Sequence, residues 1–159
     1  MKTKRFQNLG LLLFTLLHEA HPASPIAQQM VAAHNFYRTK VGTPPLAWSD
    51  DLATSAQQWA ATLIDLGTFA PRQGGQFGEN LFEISGGSAD PSRVVDAWAS
   101  EAANYDHTTN SCRARCGHYT QLVWRGTRLV GCGAARKAKR EVWVCDYDPP
   151  GNIIGERPY

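Results

Sequence analysis

Two glutamates and a histidine are the side chains whose types and positions best suit chemistry. Glu79 and His118 each follow a glycine, Gly78 and Gly117, at the start of a segment that reads as a strand, where side chains often line clefts. Glu101 is odder. It stands seven residues after Val94 and three after Trp98, inside an apolar helical stripe. A carboxylate there is costly unless it is paired or faces a wet cavity. Brought together, one imidazole and two carboxylates could hold a divalent metal or work as an acid–base set. Plainer readings stay open: Glu101 at the edge of its stripe reaching water, and His118 as a structural histidine. The chain has no G-x-S-x-G and no H-E-x-x-H, so no nucleophile with its base is visible by motif.

Helices and strands must position these residues. Ser24 followed by Pro25 caps and starts a first helix, with Ile26, Met30, His34 and Tyr37 at helical spacing and Gly42 and Pro44 ending it. A second helix starts at Ser49, with Asp50 and Asp51 at the positive end of its dipole. Leu52, Ala56, Trp59 and Leu63 make its buried stripe, and Gly67 stops it. A third starts at Asp90 with Pro91 and turns Val94, Trp98, Ala102 and Tyr105 to the core. Asn80, Phe82 and Ile84 alternate as in a strand, and 117–124 also reads as one. Runs 129–135 and 141–147 flank a polar tip and form a hairpin. Mainly antiparallel strands with helices on both faces give an α+β fold, a three-layer α-β-α sandwich. Layering alone does not choose between one-sided and two-sided packing.

The chain has 159 residues, enough for one domain with a real core. Lys2, Lys4 and Arg5 precede the apolar run Leu9–Leu17, the pattern of a secretory signal peptide over residues 1–24, with the cleavage point left open. The run is shorter than the roughly 20 residues a transmembrane helix needs. Without residues 1–24 the chain holds 13 basic and 13 acidic side chains, a balance that gives no argument for nucleic-acid binding. Arg136, Lys137, Lys139 and Arg140 cluster at the hairpin tip, either as a solvated charge run or as a weak contact with anionic membrane. Behind a secretion signal, Cys112, Cys116, Cys132 and Cys145 imply disulfides, not zinc. A hairpin centred between Ala138 and Lys139 sets Cys132 opposite Cys145, within reach of a disulfide. Cys112 and Cys116 then form the remaining pair.

Several ordered motifs resemble the CAP superfamily, the cysteine-rich secretory, antigen 5 and pathogenesis-related 1 proteins. GHYTQLVWRGT at 117–127 is similar to its first signature throughout. VWVCDYDPPGN at 142–152 is similar to the second except at Asp146, where an Asn is more usual. His34-Asn35 with Arg38 resembles the HNxxR run, Gly78–Leu81 the GENL strand, and Pro149–Tyr159 the tail of plant pathogenesis-related family 1 proteins. The resemblance spans about residue 26 to the end, so 25–159 is expected to be one CAP (SCP) domain. It implies the α-β-α sandwich and the same two disulfides. It also implies a cavity with two His and two Glu, which in some members hold zinc or another divalent ion. Glu79, Glu101 and His118 match three of these; the fourth position falls on Arg72. A guanidinium stays charged and cannot ligate, so Arg72 is expected to pair with Glu79 or Glu101 and take the ion's place. No metal is therefore expected, and any bound ion would rest on Glu79, Glu101 and His118. Plant relatives usually carry a third disulfide, whose positions fall near Thr68 and Lys137.

The resemblance implies a secreted, non-catalytic binding or defence protein, expected to be monomeric. Its expected partners are a sterol or fatty-acid ligand and a membrane or cell-wall target. The segment Asn104–Cys116 holds only Tyr105 as an aromatic, which argues against sterol binding through an aromatic-rich loop there. Two alternatives stand beside this: a metal-assisted hydrolase using the Glu/His cavity, and a precursor releasing the tail from Pro149 as a signalling peptide.

Overall fold

A computed structural model describes residues 24–159; the signal-peptide reading lies outside the described residues. Three helix starts sit where cap chemistry puts them. The Ser24 hydroxyl accepts from Ala27 N–H ahead of α1 (Pro25–Lys40). The Ser49 hydroxyl accepts from Leu52 N–H ahead of α2 (Asp50–Leu66), which ends on the left-handed Gly67. The Asp90 carboxylate accepts from Arg93 N–H ahead of α3 (Pro91–Ala99). A 3-10 turn, Ser100–Asn104, continues α3, so Glu101 stands on that turn. Ala102 is exposed there, contrary to the expected stripe, while Tyr105 is buried as the first residue of β3 (Tyr105–Asp106).

The central sheet runs β1 (Ala47–Trp48), β5 (Leu129–Lys137), β6 (Arg140–Asp148) and β2 (Gly78–Ser85). Only the short β1–β5 pairing is parallel. β3 pairs separately with β4 (Ser111–Cys112). The β5–β6 register sets Cys132 opposite Cys145 and Lys137 opposite Arg140, as the hairpin reading requires. Both expected disulfides, Cys112–Cys116 and Cys132–Cys145, are present.

Alternation along β6 divides the core into two layers. Val142 and Val144 pack with Leu81 against Ala56, Ala60 and Leu63 of α2. Trp143, Cys145 and Tyr147 face Met30 of α1, Val94 and Trp98 of α3, and Leu122. On β5 the side toward α2 carries the small residues Gly131, Gly133 and Ala135. A Cβ on Gly131 would lie 2.6 Å from the Leu52 carbonyl carbon, and one on Gly133 2.7 Å from Gln57 Cβ. The two glycines let α2 lie directly on the strand.

The segment expected as a strand at 117–124 is instead a short helix, α4 (Gly117–Leu122). Its Tyr, Thr and Val content is strand-like, but Tyr119, Thr120, Gln121 and Leu122 are all buried, so no alternation exists to hold a strand face. The Gln121 side chain bonds Thr127 Oγ1 and Gly151 N–H, securing α4 on its polar side. In α1 the buried stripe is Ala27, Met30, His34 and Arg38, while Ile26 is exposed. The wholly buried Arg38 guanidinium donates to the carbonyls of Pro44, Leu122, Trp124 and Thr127, tying α1 to the loop after α4. Where the resemblance puts a third disulfide, polar contacts join α2 to the hairpin tip. Arg140 donates to Thr68 O at 2.6 Å, and Lys137 Nζ stands 3.8 Å from Asp65.

Candidate functional site

The four cavity positions fall into two pairs on opposite sides of the edge strand β2. Glu101 and His118 form the first. Glu101 Oε1 accepts from His118 Nδ1 at 2.8 Å, and Oε2 accepts from the His118 backbone N–H at 3.0 Å. This explains a carboxylate inside an apolar stripe: both oxygens are satisfied by one residue at the start of α4. With Nδ1 holding its proton toward Glu101, Nε2 is the nitrogen left to face a ligand. The imidazole also stacks on Trp98, with ring centroids 6.3 Å apart.

Arg72 and Glu79 form the second pair, and it contains a third member. Glu79 of β2 lies directly opposite Asp146 of β6. Two acids side by side on one sheet face need a cation between them, and Arg72 supplies it. Its backbone N–H donates to Glu79 Oε1 at 2.8 Å, and its Nη2 is 3.6 Å from Oε2. The tighter contact is to Asp146, whose Oδ2 lies 3.1 Å from Nη1 and also accepts from Ser55 Oγ at 2.7 Å. The guanidinium carbon lies 5.6 Å from the Trp59 ring centroid. Burial raises the Glu79 pKa; Arg72 opposes the shift and Asp146 adds to it.

The Arg72 side chain therefore turns toward Ser55 of α2 and Asp146, and pairs with Glu79 from that side. A cavity of about 430 Å³ opens beside β2, lined by Phe69, Ala70, Pro71 and Leu81 on its apolar side and by Glu79, Asn80, Arg115 and His118 among its polar groups. Asn80 connects it to the interior. Its Nδ2 donates to His118 O at 3.0 Å and to Tyr147 OH at 3.3 Å. Tyr147 OH meets His34 Nε2 at 2.9 Å, and His34 Nδ1 meets Met30 O at 2.7 Å. Burial pulls the His34 pKa down to about 4, so the ring is neutral and its Nε2 accepts a hydrogen bond from the Tyr147 hydroxyl.

These residues do not fit a metal ion. Among the described residues no three His, Cys, Asp or Glu side chains are grouped so as to hold one. Glu79 is engaged by Arg72, and Glu101 by His118. Sequence reasoning missed Ser55, Trp59 and Asp146 as partners of Arg72. It also missed Phe69, Asn80 and Arg115 as cavity residues, because loop and cross-sheet contacts carry no local pattern. Asp146 did carry a signal: the departures from the CAP pattern at 72 and 146 touch each other.

The comparisons agree with the fold and the motifs. The family model described as "CAP: Cysteine-rich secretory protein family" matches residues 31–147. Pathogenesis-related protein 1B of Nicotiana tabacum is 40% identical, covering 94% of this chain and 90% of its own. Pathogenesis-related protein 1 of Arabidopsis thaliana is 40% identical, covering 83% and 81%. Among solved structures, the venom allergen-like protein 4 of Schistosoma mansoni superposes with a TM-score of 0.69 at 27% identity, covering 86% of this chain and 95% of its own. NaASP2, solved with Zn2+, superposes at 0.71 with 24% identity over 86% of each chain and speaks to the fold alone. With its two signatures, its sandwich and both disulfides in place, this chain belongs to the CAP family, alongside the plant pathogenesis-related 1 proteins.

Proposed function

We propose that the protein is a secreted, non-catalytic binding protein of the extracellular defence type, whose cavity takes a small amphiphile such as a fatty acid or sterol without a metal. The observation that carries this is the cavity's make-up. Its volume is in the range of small-molecule sites, its apolar wall is Phe69, Ala70, Pro71 and Leu81, and its polar side offers the His118 ring and Arg115. An apolar body with one polar end matches that division. The basic-then-apolar start of the chain and the two disulfides support secretion.

Metal-assisted hydrolysis finds no support here, because the carboxylates that would ligate are held by Arg72 and His118. The precursor reading gains none from the tail. Its Arg157 donates to His107 O and Thr108 O, Pro158 O accepts from Arg125 N–H, and the Tyr159 ring stacks on His107.

Titration of the mature protein with labelled palmitate, cholesterol and ergosterol should give saturable binding to at least one, and binding to none would overturn the reading. Calorimetry with zinc should give no sub-micromolar site; such a site, abolished in His118→Ala, would restore the metal reading.

A further inference from the structure

Six large apolar side chains are exposed on the described surface: Ile26, Phe36, Leu66, Phe69, Ile153 and Ile154. Single exposed apolar residues are ordinary. Here three of them stand on two segments that meet at one place. Phe69, which is 46% exposed, and Asn152, which directly precedes the two isoleucines, both line the cavity. Ile153 is 48% exposed and Ile154 100% exposed, so Ile154 touches nothing that shields it from water.

The isoleucines are not on a loose end. Asn152 and Gly155 hold left-handed backbone conformations on either side of them, with φ of 57° and 87°. Glu156 N–H closes the turn on Ile153 O at 3.0 Å. On one side Asn152 Nδ2 donates to Gly117 O at 2.9 Å and its Oδ1 accepts from Thr120 at 2.6 Å. On the other, Arg125 N–H holds Pro158 O at 2.7 Å. The turn, tied down on both sides, presents two isoleucines to solvent.

Cations stand beside this turn. The loop closed by Cys112–Cys116 exposes Arg113 and Arg115, and Arg115 lines the same cavity as Phe69 and Asn152. The loop's backbone is fixed as well: Arg113 N–H donates to Asn104 O at 2.8 Å, and Asn104 Nδ2 donates to Arg115 O at 2.9 Å. Among the described residues neither guanidinium makes a direct ion pair, although Arg113 attracts Asp106 at longer range; the hairpin-tip cations Arg136, Lys137 and Arg140 by contrast stand directly against Glu141, Asp65 and Glu83.

We infer that this rim is a docking surface for an anionic lipid bilayer, with Ile153, Ile154 and Phe69 entering the interface and Arg113 and Arg115 meeting headgroup phosphates and carboxylates. A bilayer fits better than a folded protein partner. The exposed apolar groups come from two separate segments around an open mouth, whereas a stable protein contact buries several hundred Å² on each partner. A fluid surface accommodates projections, and fixed cations beside them match its charge. The contact goes beyond the ligand reading, since the rim would bind lipid whether or not the cavity is filled.

Co-sedimentation of the mature protein with vesicles tests it, using phosphatidylcholine alone and phosphatidylcholine with one third phosphatidylserine. Binding is expected on the serine-containing vesicles and should weaken with salt. The double variant Ile153→Ser/Ile154→Ser should bind at least about tenfold more weakly. Arg113→Glu/Arg115→Glu should bind about tenfold more weakly on the anionic vesicles only. Phe36→Ser, which removes an exposed apolar group on α1, should bind as wild type. No preference for anionic vesicles, or binding that survives loss of both isoleucines, would overturn the inference. A second measurement does not depend on the variants' affinity. All four native cysteines are paired, so Ile154→Cys takes an environment-sensitive dye at one site. Its emission should shift to the blue on anionic vesicles, and an unshifted emission would also overturn the inference. Retained palmitate binding in the isoleucine variant would show that cavity function and membrane contact are separate.

Discussion

Arg72 and Asp146 are the paired departures from the family pattern beside the cavity, and a double-mutant cycle measures their coupling. The Asp146 side chain is 0% exposed and that of Arg72 25% exposed. Asp146 Oδ2 has two partners, the guanidinium and the Ser55 hydroxyl, while Oδ1 has none. Arg72→Ala would leave that carboxylate in the interior with one hydroxyl, opposite a second acid, Glu79. Removing one partner of a fully buried pair costs about 3–5 kcal/mol; with the arginine a quarter exposed, about 2–3 kcal/mol is expected. Asp146→Asn leaves a guanidinium that still reaches Glu79, Ser55 O and water, for a loss of about 1 kcal/mol. The double variant removes both charges and should also lose about 1 kcal/mol, giving a coupling of about 2–3 kcal/mol. Urea midpoints of the four proteins at neutral pH supply the values. The thermal midpoint of Arg72→Ala should fall by roughly 10 °C for a domain of this size. Single effects that add within about 0.5 kcal/mol would mean that the two residues do not support one another, and the account of the site would fail.

Two further outcomes follow from the interior. His34 is protonated near pH 6.5 in the unfolded chain but only near 4 in the fold, because burial disfavours its charged form. Acid therefore favours the unfolded chain: His34 withdraws on the order of 3 kcal/mol of stability as pH falls through that window. Urea stability should decline more steeply from pH 6.5 to 4 in wild type than in His34→Gln, and equal slopes would remove His34 as the cause. Gly133→Ala would force a methyl into Gln57 of α2, lowering stability by about 2–3 kcal/mol; an unchanged urea midpoint would mean that α2 does not bear on β5 at this point.

Much of the fold was legible because its determinants are local. Ser24 with Pro25, Ser49 with Asp50 and Asp51, and Asp90 with Pro91 each place a helix start through contacts three residues away. The Cys132–Cys145 bridge follows from the centre of one hairpin. Residues 117–122 were misread because strand and helix periodicities both vanish when successive side chains are buried. Arg38 shows the same loss in another form: the HNxxR resemblance marks the residue, but nothing local shows that its charge is 0% exposed, since the four carbonyls that receive it lie 6 to 89 residues away.

The candidate site divides along the same line. Glu101 could be seen as costly, but not as the acceptor for both donors of His118, since that depends on α4 beginning where a strand was expected. Arg72 could be seen as unable to ligate, but not as the partner of Asp146. That contact needs the β2–β6 register, which brings Asp146 beside Glu79, and the loop that returns Arg72 to the same sheet face. Each departure from the family pattern is unfavourable alone: a cation among would-be ligands, and a carboxylate in a dry interior. Together they cancel one another's charge. A site rebuilt this way has its order supplied by the chain itself: Arg72 holds Glu79 through both its backbone N–H and its guanidinium, so a bound ion is not required to keep that carboxylate in position.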